Sequence, residues 1–166
     1  MKRENLYTPS SIRTVSGIYV DFTNIKPSMF KIEDIAHALA KEQRFGNHLK
    51  RYYSVAQHSY YVQTDCSPVN KLAGLLHDAS EAYLKDIPKP IKDLLPGYKK
   101  LEKKVMECIA LKFGFKYPLP KEVHEIDKKY LEWEWENLML KKYPVHGWGF
   151  ETSKSMFISS FLSLNK

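Results

Sequence analysis

The sequence predicts an all-α fold, a compact bundle of helices with one short β-hairpin near its N-terminal end. Apolar residues recur at helical spacing from about residue 28 onward, whereas apolar–polar alternation is confined to residues 12–22. The chain has 166 residues, of which 43% are hydrophobic, and this is enough for one core and one domain. We therefore expect a single domain over residues 1–166, in which residues 1–30 form the hairpin and its arm.

Local patterns predict the first elements. Residues 12–22 alternate around Ser16-Gly17, and a glycine in that place suits the tight turn of a two-stranded hairpin. A second helix should include residues 56–64. Before it, a first helix should end ahead of Gly46, because its apolar residues share one face: Ile32, Ile35, Ala36, Leu39 and Ala40.

Capping residues and prolines delimit the later elements. Ser67-Pro68 has the residue types of an N-cap and a first helical position, and a third helix should follow over residues 69–76. Asp86-Ile87-Pro88 interrupts the helical pattern. Three more helices are expected, at residues 98–113 with Gly114 as the C-terminal cap, from Pro120 to about Lys142, and at about residues 152–164.

Charge and composition limit the classes of function. Lys and Arg number 26 and Asp and Glu 19, and the net charge of +7 favours anionic partners without distinguishing polymers, membranes and small phosphates. No apolar run approaches the roughly 18 residues that a bilayer span needs, and the start lacks a signal-peptide pattern. The two cysteines, Cys66 and Cys108, cannot form a disulfide framework. We therefore expect a cytoplasmic protein without a membrane partner.

The strongest local signal for chemistry is His77-Asp78 followed by Glu81. The His-Asp pair ends an apolar helix, where neither group can be buried cheaply without a partner. Glu81 lies four residues after His77 and three after Asp78, so all three side chains point into one region if the helix continues. The alternative is structural, with a histidine and an N-cap aspartate at a helix junction.

His58 and Asp127 are two further candidates. His58 lies on a half-apolar helix, where a lone histidine is usually structural. On the long helix, the apolar stripe that should be buried consists of Val123, Ile126, Tyr130 and Trp133. Asp127 lies just inside the edge of this stripe. A carboxylate there needs a cation, which can be a metal ion or, as the alternative, a lysine or an arginine.

The order His58, His77-Asp78 and Asp127 on separate helices resembles the metal-binding signature of the HD-domain phosphohydrolases. The likeness covers about residues 30–140, and it is most detailed toward the bacterial 5′-deoxynucleotidases and the phage-encoded HD hydrolases that act on deoxynucleotides. The segments that carry it are Arg44-Phe45, Val55-Ala56-Gln57-His58-Ser59, Leu76-His77-Asp78-Ala79-Ser80-Glu81 and Asp86-Ile87-Pro88-Lys89-Pro90-Ile91-Lys92.

The resemblance implies one divalent metal ion, held by His58, His77, Asp78 and Asp127. This mixture of imidazole and carboxylate ligands suits Mn²⁺, Co²⁺, Fe²⁺ or Zn²⁺ better than Ca²⁺. It also implies a catalytic role for Glu81, which would orient the attacking water or handle its proton. Asp78 and Arg44 belong to the same implied catalytic set.

The resemblance implies a substrate site as well. Arg44 would bind phosphate through its guanidinium fork, and Asp86 would accept a hydrogen bond from the sugar 3′-hydroxyl. Phe45 stands where the bacterial 5′-deoxynucleotidases have a tryptophan near the deoxyribose, and this departure bears on sugar selectivity. His48 is a further candidate for contact with a polyphosphate, with a solvated loop as the alternative. The tryptophans are expected in the core or at an interface rather than against a base: Trp133, Trp135 and Trp148.

Taken together, these residues predict a metal-dependent phosphohydrolase, and most simply a 5′-deoxyribonucleotide phosphomonoesterase. The alternative within this class is a deoxynucleoside triphosphate triphosphohydrolase of the dATPase kind, which the positive charge slightly favours. The alternative from another class is a non-catalytic basic module that binds nucleic acid, although the acids beside the lysine runs argue against it. A deoxynucleotide as the small-molecule partner and self-association into a homo-oligomer are expected from the same resemblance.

Overall fold

A computed structural model describes residues 9–140 and 147–165. These residues form eight α-helices and one two-stranded sheet, which confirms the predicted all-α class. The strands are β1 (Ser11–Arg13) and β2 (Tyr19–Asp21), and the helices are α1 (Ile32–Leu39), α2 (Val55–Asp65), α3 (Lys71–Leu75), α4 (Glu81–Leu84), α5 (Lys89–Lys92), α6 (Tyr98–Phe113), α7 (Lys121–Glu134) and α8 (Phe150–Leu164). None of the described helices combines the length and the apolarity needed to cross a bilayer. Residues 1–8 of the predicted arm and the predicted helix end near Lys142 lie outside the described residues.

The N-terminal hairpin is short and is tied to the first helix. β1 and β2 are antiparallel, with Ile12 opposite Val20. Gly17 forms the turn with a φ of 86°, a value that favours glycine. On α1, the carboxylate of Asp34 accepts hydrogen bonds from the backbone N–H and the hydroxyl of Ser16, at 2.9 and 2.7 Å. These bonds hold the hairpin against α1.

One hydrophobic core joins most of the helices. The residues of the predicted α1 face are all buried: Ile32, Ile35, Ala36, Leu39 and Ala40. They belong to a single cluster that also includes Val55 of α2, Ile109 of α6 and Phe157 of α8. Because this apolar surface is removed from water, it stabilises the bundle and keeps α2, the helix that carries His58, in the interior.

The predicted third helix is divided into shorter pieces. A 3₁₀ turn at Pro68–Asn70 precedes α3, and Val69 is 86% exposed. After α3 the chain turns through residues 76–80, where the N–H of Glu81 donates to the carbonyl of Asp78 at 2.9 Å, and α4 begins at Glu81. His77 and Asp78 therefore lie in a turn between two helices, and the continuous helix that would have aligned them with Glu81 is absent from this part of the described chain.

The buried face of α7 differs from the predicted stripe. Trp133 is 42% exposed, so its assignment to the buried stripe is wrong. Val123 and Glu134 are the buried residues of this helix. Positions 123, 127, 130 and 134 share one face because they recur every three or four residues, and a charged partner in the interior accounts for the burial of Glu134. Beyond Glu134 the chain continues as a π-helical segment, Trp135–Leu140.

Candidate metal centre and adjoining cleft

His58 is presented to the interior by α2. The hydroxyl of Ser54 caps this helix by accepting a hydrogen bond from the N–H of Gln57 at 3.1 Å, and His58 follows in the next turn, fully buried. The Nδ1 of His58 lies 2.6 Å from Oε1 of Glu134, the last residue of α7. An ionised carboxylate only accepts hydrogen bonds, so Nδ1 carries the proton and Nε2 is left for other partners.

His77 and Asp78 enter the site from the turn after α3. The Nδ1 of His77 donates to the carbonyl oxygen of Gly74 at 2.7 Å, which again leaves Nε2 for other partners. Oδ2 of Asp78 lies 3.1 Å from that Nε2. A Cβ on Gly74 would lie 2.6 Å from Sγ of Cys66 and 3.2 Å from Cα of Gln63, so the glycine allows α3 to approach α2 closely.

Asp127 completes the cluster from α7. Its Oδ1 lies 3.0 Å from Nε2 of His58 and 3.6 Å from Nε2 of His77. Within the described part of the chain, these two imidazoles are the ion-pair partners of Asp127, and the lysine or arginine that the sequence left open is not among them.

The donor atoms are spaced as ligands of one cation are spaced. The Nε2 atoms of His58 and His77 are 3.3 Å apart, and Oδ2 of Asp78 is 3.8 Å from Nε2 of His58. The ligand atoms of His58, His77 and Asp127 all lie within 4.8 Å of one another. Ligands at about 2.0–2.2 Å from a transition metal are about 3.0–3.5 Å from one another in tetrahedral or octahedral geometry. The cluster of His58, His77 and Asp127 could therefore hold a metal ion, and Asp78 lies within reach of it.

The electrostatics of the cluster favour a bound positive charge. Burial alone would lower the pKa of His77, but the carboxylates of Asp78 and Asp127 raise it well above its usual value. Burial would raise the pKa of Asp78, yet the charge and hydrogen bond of His77 hold it at about 2. In Asp127 the hydrogen bonds of His58 and His77 outweigh burial and lower the pKa. The carboxylates stay ionised, and either imidazolium groups or a metal ion must balance them.

Glu134 is a site residue that the sequence interpretation missed. Its Oε1 accepts from His58, and its Oε2 accepts from Nε and Nη2 of Arg44 at 3.1 and 2.9 Å. Burial would raise the pKa of Glu134, but the charges of His58 and Arg44 lower it. The signal that could have revealed Glu134 is its spacing, seven residues after Asp127, which places both carboxylates on one face of α7.

Arg44 is buried, and most of its guanidinium group is engaged in the interior. Its contacts with Glu134 use Nε and Nη2, whereas Nη1 lies 3.6 Å from Oδ2 of Asp78. Burial would lower the pKa of Arg44, but the charges of Glu134 and Asp78 raise it. The guanidinium fork expected to bind phosphate is thus paired with Glu134, and Nη1 is the nitrogen outside that pair.

A cleft of about 630 Å³ adjoins the cluster, and Glu81 lines it. Glu81 is buried at the start of α4, with Oε1 at 3.5 Å from Nζ of Lys92. Its Oε2 is buried without a hydrogen-bond partner among the described residues. Burial, and after it the charges of Asp78 and Asp86, raise the pKa of Glu81 well above its usual value. A carboxyl group in this state holds its proton to a higher pH than an exposed glutamate does.

The other residues predicted to bind substrate lie around the same cleft. Asp86 lines it and is half-buried, and burial raises its pKa. His48 also lines the cleft but is exposed. The ring of Phe45 faces the cleft, 6.1 Å from the ring of Trp135. Trp135 lines the cleft as well, whereas the sequence suggested a place in the core or at an interface.

The chain is similar in sequence to two curated proteins. One is the uncharacterized protein YfdR of Escherichia coli, 41% identical over 105 residues that make up 63% of this chain and 59% of YfdR. The other is an uncharacterized protein of Rhodobacter capsulatus, 37% identical over 118 residues that make up 65% of this chain and 60% of the relative. The aligned part thus spans about 60% of the length of these relatives. No protein-family model matches the chain.

Proposed function

We propose that the chain is a metal-dependent phosphohydrolase of the HD-domain type that acts on deoxynucleotides, most simply as a 5′-deoxyribonucleotide phosphomonoesterase. The observation that carries the proposal is the convergence of His58, His77 and Asp127 beside a cleft that also contains Glu81. Two imidazoles with carboxylates suit Mn²⁺, Co²⁺, Fe²⁺ or Zn²⁺. In this proposal Asp78 is the fourth ligand.

Neighbouring residues fix the orientation of the two histidines that are proposed to bind the metal ion. Glu134 and the carbonyl of Gly74 accept from the Nδ1 atoms of His58 and His77, so both Nε2 atoms point into the cluster, where a metal ion would take the place of the protons that they share with Asp127 and Asp78. When bound there, a divalent ion supplies Lewis acidity at a phosphoryl group and makes water more acidic.

Glu81 is proposed to accept the proton of the attacking water. Its raised pKa matches the operating range of a general base better than that of an exposed carboxylate, and its Oε2 has no competing partner among the described residues. Lys92, at 3.5 Å, stabilises the ionised form that this role requires. The proton is then available for the leaving alkoxide when the phosphoester bond breaks.

Arg44, Lys92 and Asp86 are proposed to position the substrate. Nη1 of Arg44 and Nζ of Lys92 bring positive charge to the cleft for the phosphoryl oxygens. Asp86 is proposed to accept a hydrogen bond from the 3′-hydroxyl. Since an acceptor left unpaired in the interior costs about 1–3 kcal/mol, a 3′-deoxy analogue is expected to have a kcat/KM about 5- to 150-fold lower.

A triphosphohydrolase is the second candidate, and one observation favours it. Lys89 and His48 line the cleft in addition to Lys92, so a second lysine and an imidazole are available for phosphates beyond the first. A triphosphohydrolase would release triphosphate and nucleoside, whereas a phosphomonoesterase releases phosphate and nucleoside.

A substrate panel tests the proposal. The protein is loaded with Mn²⁺ or Co²⁺, its metal content is measured, and matched deoxy- and ribonucleoside mono- and triphosphates are assayed with identification of the phosphate product. We expect hydrolysis of deoxynucleoside 5′-monophosphates with a higher kcat/KM than for the ribonucleotides. Equal values for the two sugars would leave only a general phosphohydrolase. Hydrolysis of none of them by the metal-loaded protein would reject the proposal.

A further inference from the structure

One row of side chains links the candidate metal centre to an apolar part of the cleft. Asp127, Leu131, Trp135 and Met139 all line the cleft and follow one another at intervals of four residues. Residues at this spacing lie on one helix face. Each helical residue adds about 1.5 Å, so Trp135 lies about 12 Å beyond Asp127 along the axis of α7. A ligand with its phosphate near Asp127 would therefore have to extend about 12 Å to reach Trp135.

The apolar part of the cleft is aromatic and open to solvent. Trp135 is 47% exposed, and its ring is inclined at 42° to that of Phe45. A large exposed indole that lines a cleft is available for stacking with a planar ligand. Pro88 borders the same cleft and packs near Gly46, where a Cβ would lie 3.5 Å from its Cγ.

The turn that carries Phe45 has an unusual backbone. Phe45, Gly46 and Asn47 have φ values of 57°, 58° and 68°, in the left-handed region that favours glycine. A bulky residue such as phenylalanine adopts this conformation only when its surroundings impose it, and such strain is concentrated at binding sites. Here the base of the loop is fixed by the hydrogen bond from the N–H of Arg44 to the carbonyl of Tyr53 at 3.1 Å. The strained turn directs Phe45 to the aromatic end of the cleft.

We propose that Trp135, supported by Phe45, is the stacking surface for the nucleobase of the substrate. This inference rests on the proposed function, which it extends from the phosphate and the sugar to the base. Stacking requires only a planar π-face, so Trp135 binds the base with little discrimination among the four bases. In this proposal, charged groups hold the phosphate of the nucleotide and an aromatic surface holds its base, along one face of α7 and the segment that follows it.

The test compares Trp135→Ala with Trp133→Ala as its matched control. Trp133 is on the same helical segment and is similarly exposed, at 42% against 47%, but it lines a separate cavity with Tyr61, Lys129 and Tyr130. The ligands are a deoxynucleoside 5′-monophosphate and 2-deoxyribose 5-phosphate, which lacks the base. Dissociation constants are measured by calorimetry on metal-free protein, and KM on the Mn²⁺-loaded protein.

We expect Trp135→Ala to weaken nucleotide binding about 5- to 150-fold, the range for loss of one base–aromatic stack. Binding of 2-deoxyribose 5-phosphate should stay unchanged, Trp135→Phe should recover most of the affinity, and Trp133→Ala should match the wild type. Equal weakening of both ligands by Trp135→Ala, or no weakening, would overturn the inference while leaving the hydrolase proposal in place. If no nucleotide is hydrolysed but the nucleotide still binds through Trp135, the inference stands and the proposed reaction fails. Absence of nucleotide binding to the wild type overturns the inference.

Discussion

The two sides of the cleft hold their carboxylates in opposite states. On the metal side, Asp78 and Asp127 face imidazole nitrogens, and their pKa values are lowered although burial opposes this. On the other side, Glu81 is buried and Asp86 is half-buried near further carboxylates, and their pKa values are raised. Four acidic side chains of one cleft are thus divided into two whose pKa values are lowered and two whose pKa values are raised.

This difference assigns separate roles to residues of the same chemical type. Carboxylates that stay ionised can bind a cation, and a carboxyl group whose pKa is raised is better suited to exchanging a proton. The charge of Lys92 lowers the pKa of Glu81 but does not cancel the effect of burial. Its Nζ is shared between Glu102 at 2.9 Å and Glu81 at 3.5 Å. Variants of the proposed metal ligands and variants of Glu81 should therefore show their defects in different measurements.

The largest effect is expected from the metal side. Asp78→Ala removes the oxygen at 3.1 Å from Nε2 of His77, and we expect the protein to lose its bound metal and its turnover while remaining helical. Metal analysis and circular dichroism check this result. Asp93→Ala is the control, since Asp93 pairs with Lys99 on the surface. Turnover at the wild-type rate by a metal-free Asp78→Ala protein would remove the metal from the mechanism.

A change at Glu81, the proposed proton acceptor, should alter turnover and leave metal binding unchanged. Glu81→Gln keeps the shape of the side chain but cannot accept a proton, so we expect kcat to fall about 10²–10⁴-fold with metal content unchanged. Steady-state kinetics and metal analysis on the same preparation separate the two quantities. Glu102→Gln, which also alters the surroundings of Lys92, is the control. Loss of metal from Glu81→Gln would instead place Glu81 among the ligands and erase the contrast between the two sides.

A smaller effect is expected from a change at Glu134, which contacts Nδ1 of the proposed metal ligand His58. Glu134→Gln weakens the acceptor for Nδ1 of His58 and leaves Arg44 without its carboxylate, so metal affinity should fall about 10–100-fold. Competition with a chelator of known affinity gives the dissociation constant, and a melting curve shows whether the variant is folded. Glu132→Gln, two residues away on the exposed face, is the control. An unchanged affinity in a folded Glu134→Gln protein would mean that His58 is oriented without Glu134.

Sequence reasoning worked best where one local pattern decides the structure. The α1 face is apolar at helical spacing, so its burial was predictable, and Gly114 ends α6 in the left-handed conformation that favours glycine. It failed where burial depends on a residue that is distant in the sequence. On α7, Trp133 is the more apolar residue, but Glu134 is buried because Arg44 and His58, both far away in the chain, pair with it.

Two features of the site have little or no local signal. Phe45 is not a residue whose type predicts a left-handed backbone, although Gly46 and Asn47 after it are, and its conformation depends on how the loop is fixed by its neighbours. The turn between α3 and α4 is the helix junction that the sequence left open as the alternative to a helix continuing through Glu81. Residue types in order along the chain were sufficient to select His58, His77 and Asp127, whereas the distances between them required the fold.

The smallest effect is a difference in thermal stability that depends on pH. The pKa of Glu81 is raised above 4.5 in the folded protein, mainly by burial, so folding favours the protonated form. The wild type therefore loses stability from this group as the pH rises above 4.5 and through the raised pKa. Glutamine carries no charge at any pH, so metal-free Glu81→Gln should match the Tm of the metal-free wild type near pH 4.5. It should exceed that Tm at pH 8, and the difference should grow between the two pH values. Loss of the weak contact with Lys92 opposes this gain only partly, because Lys92 keeps Glu102. Melting curves of both chelator-treated proteins at several pH values measure the difference. A difference that is independent of pH, or that falls as the pH rises, would show that Glu81 is ionised in the fold like Asp78, and the two sides of the cleft would then be alike.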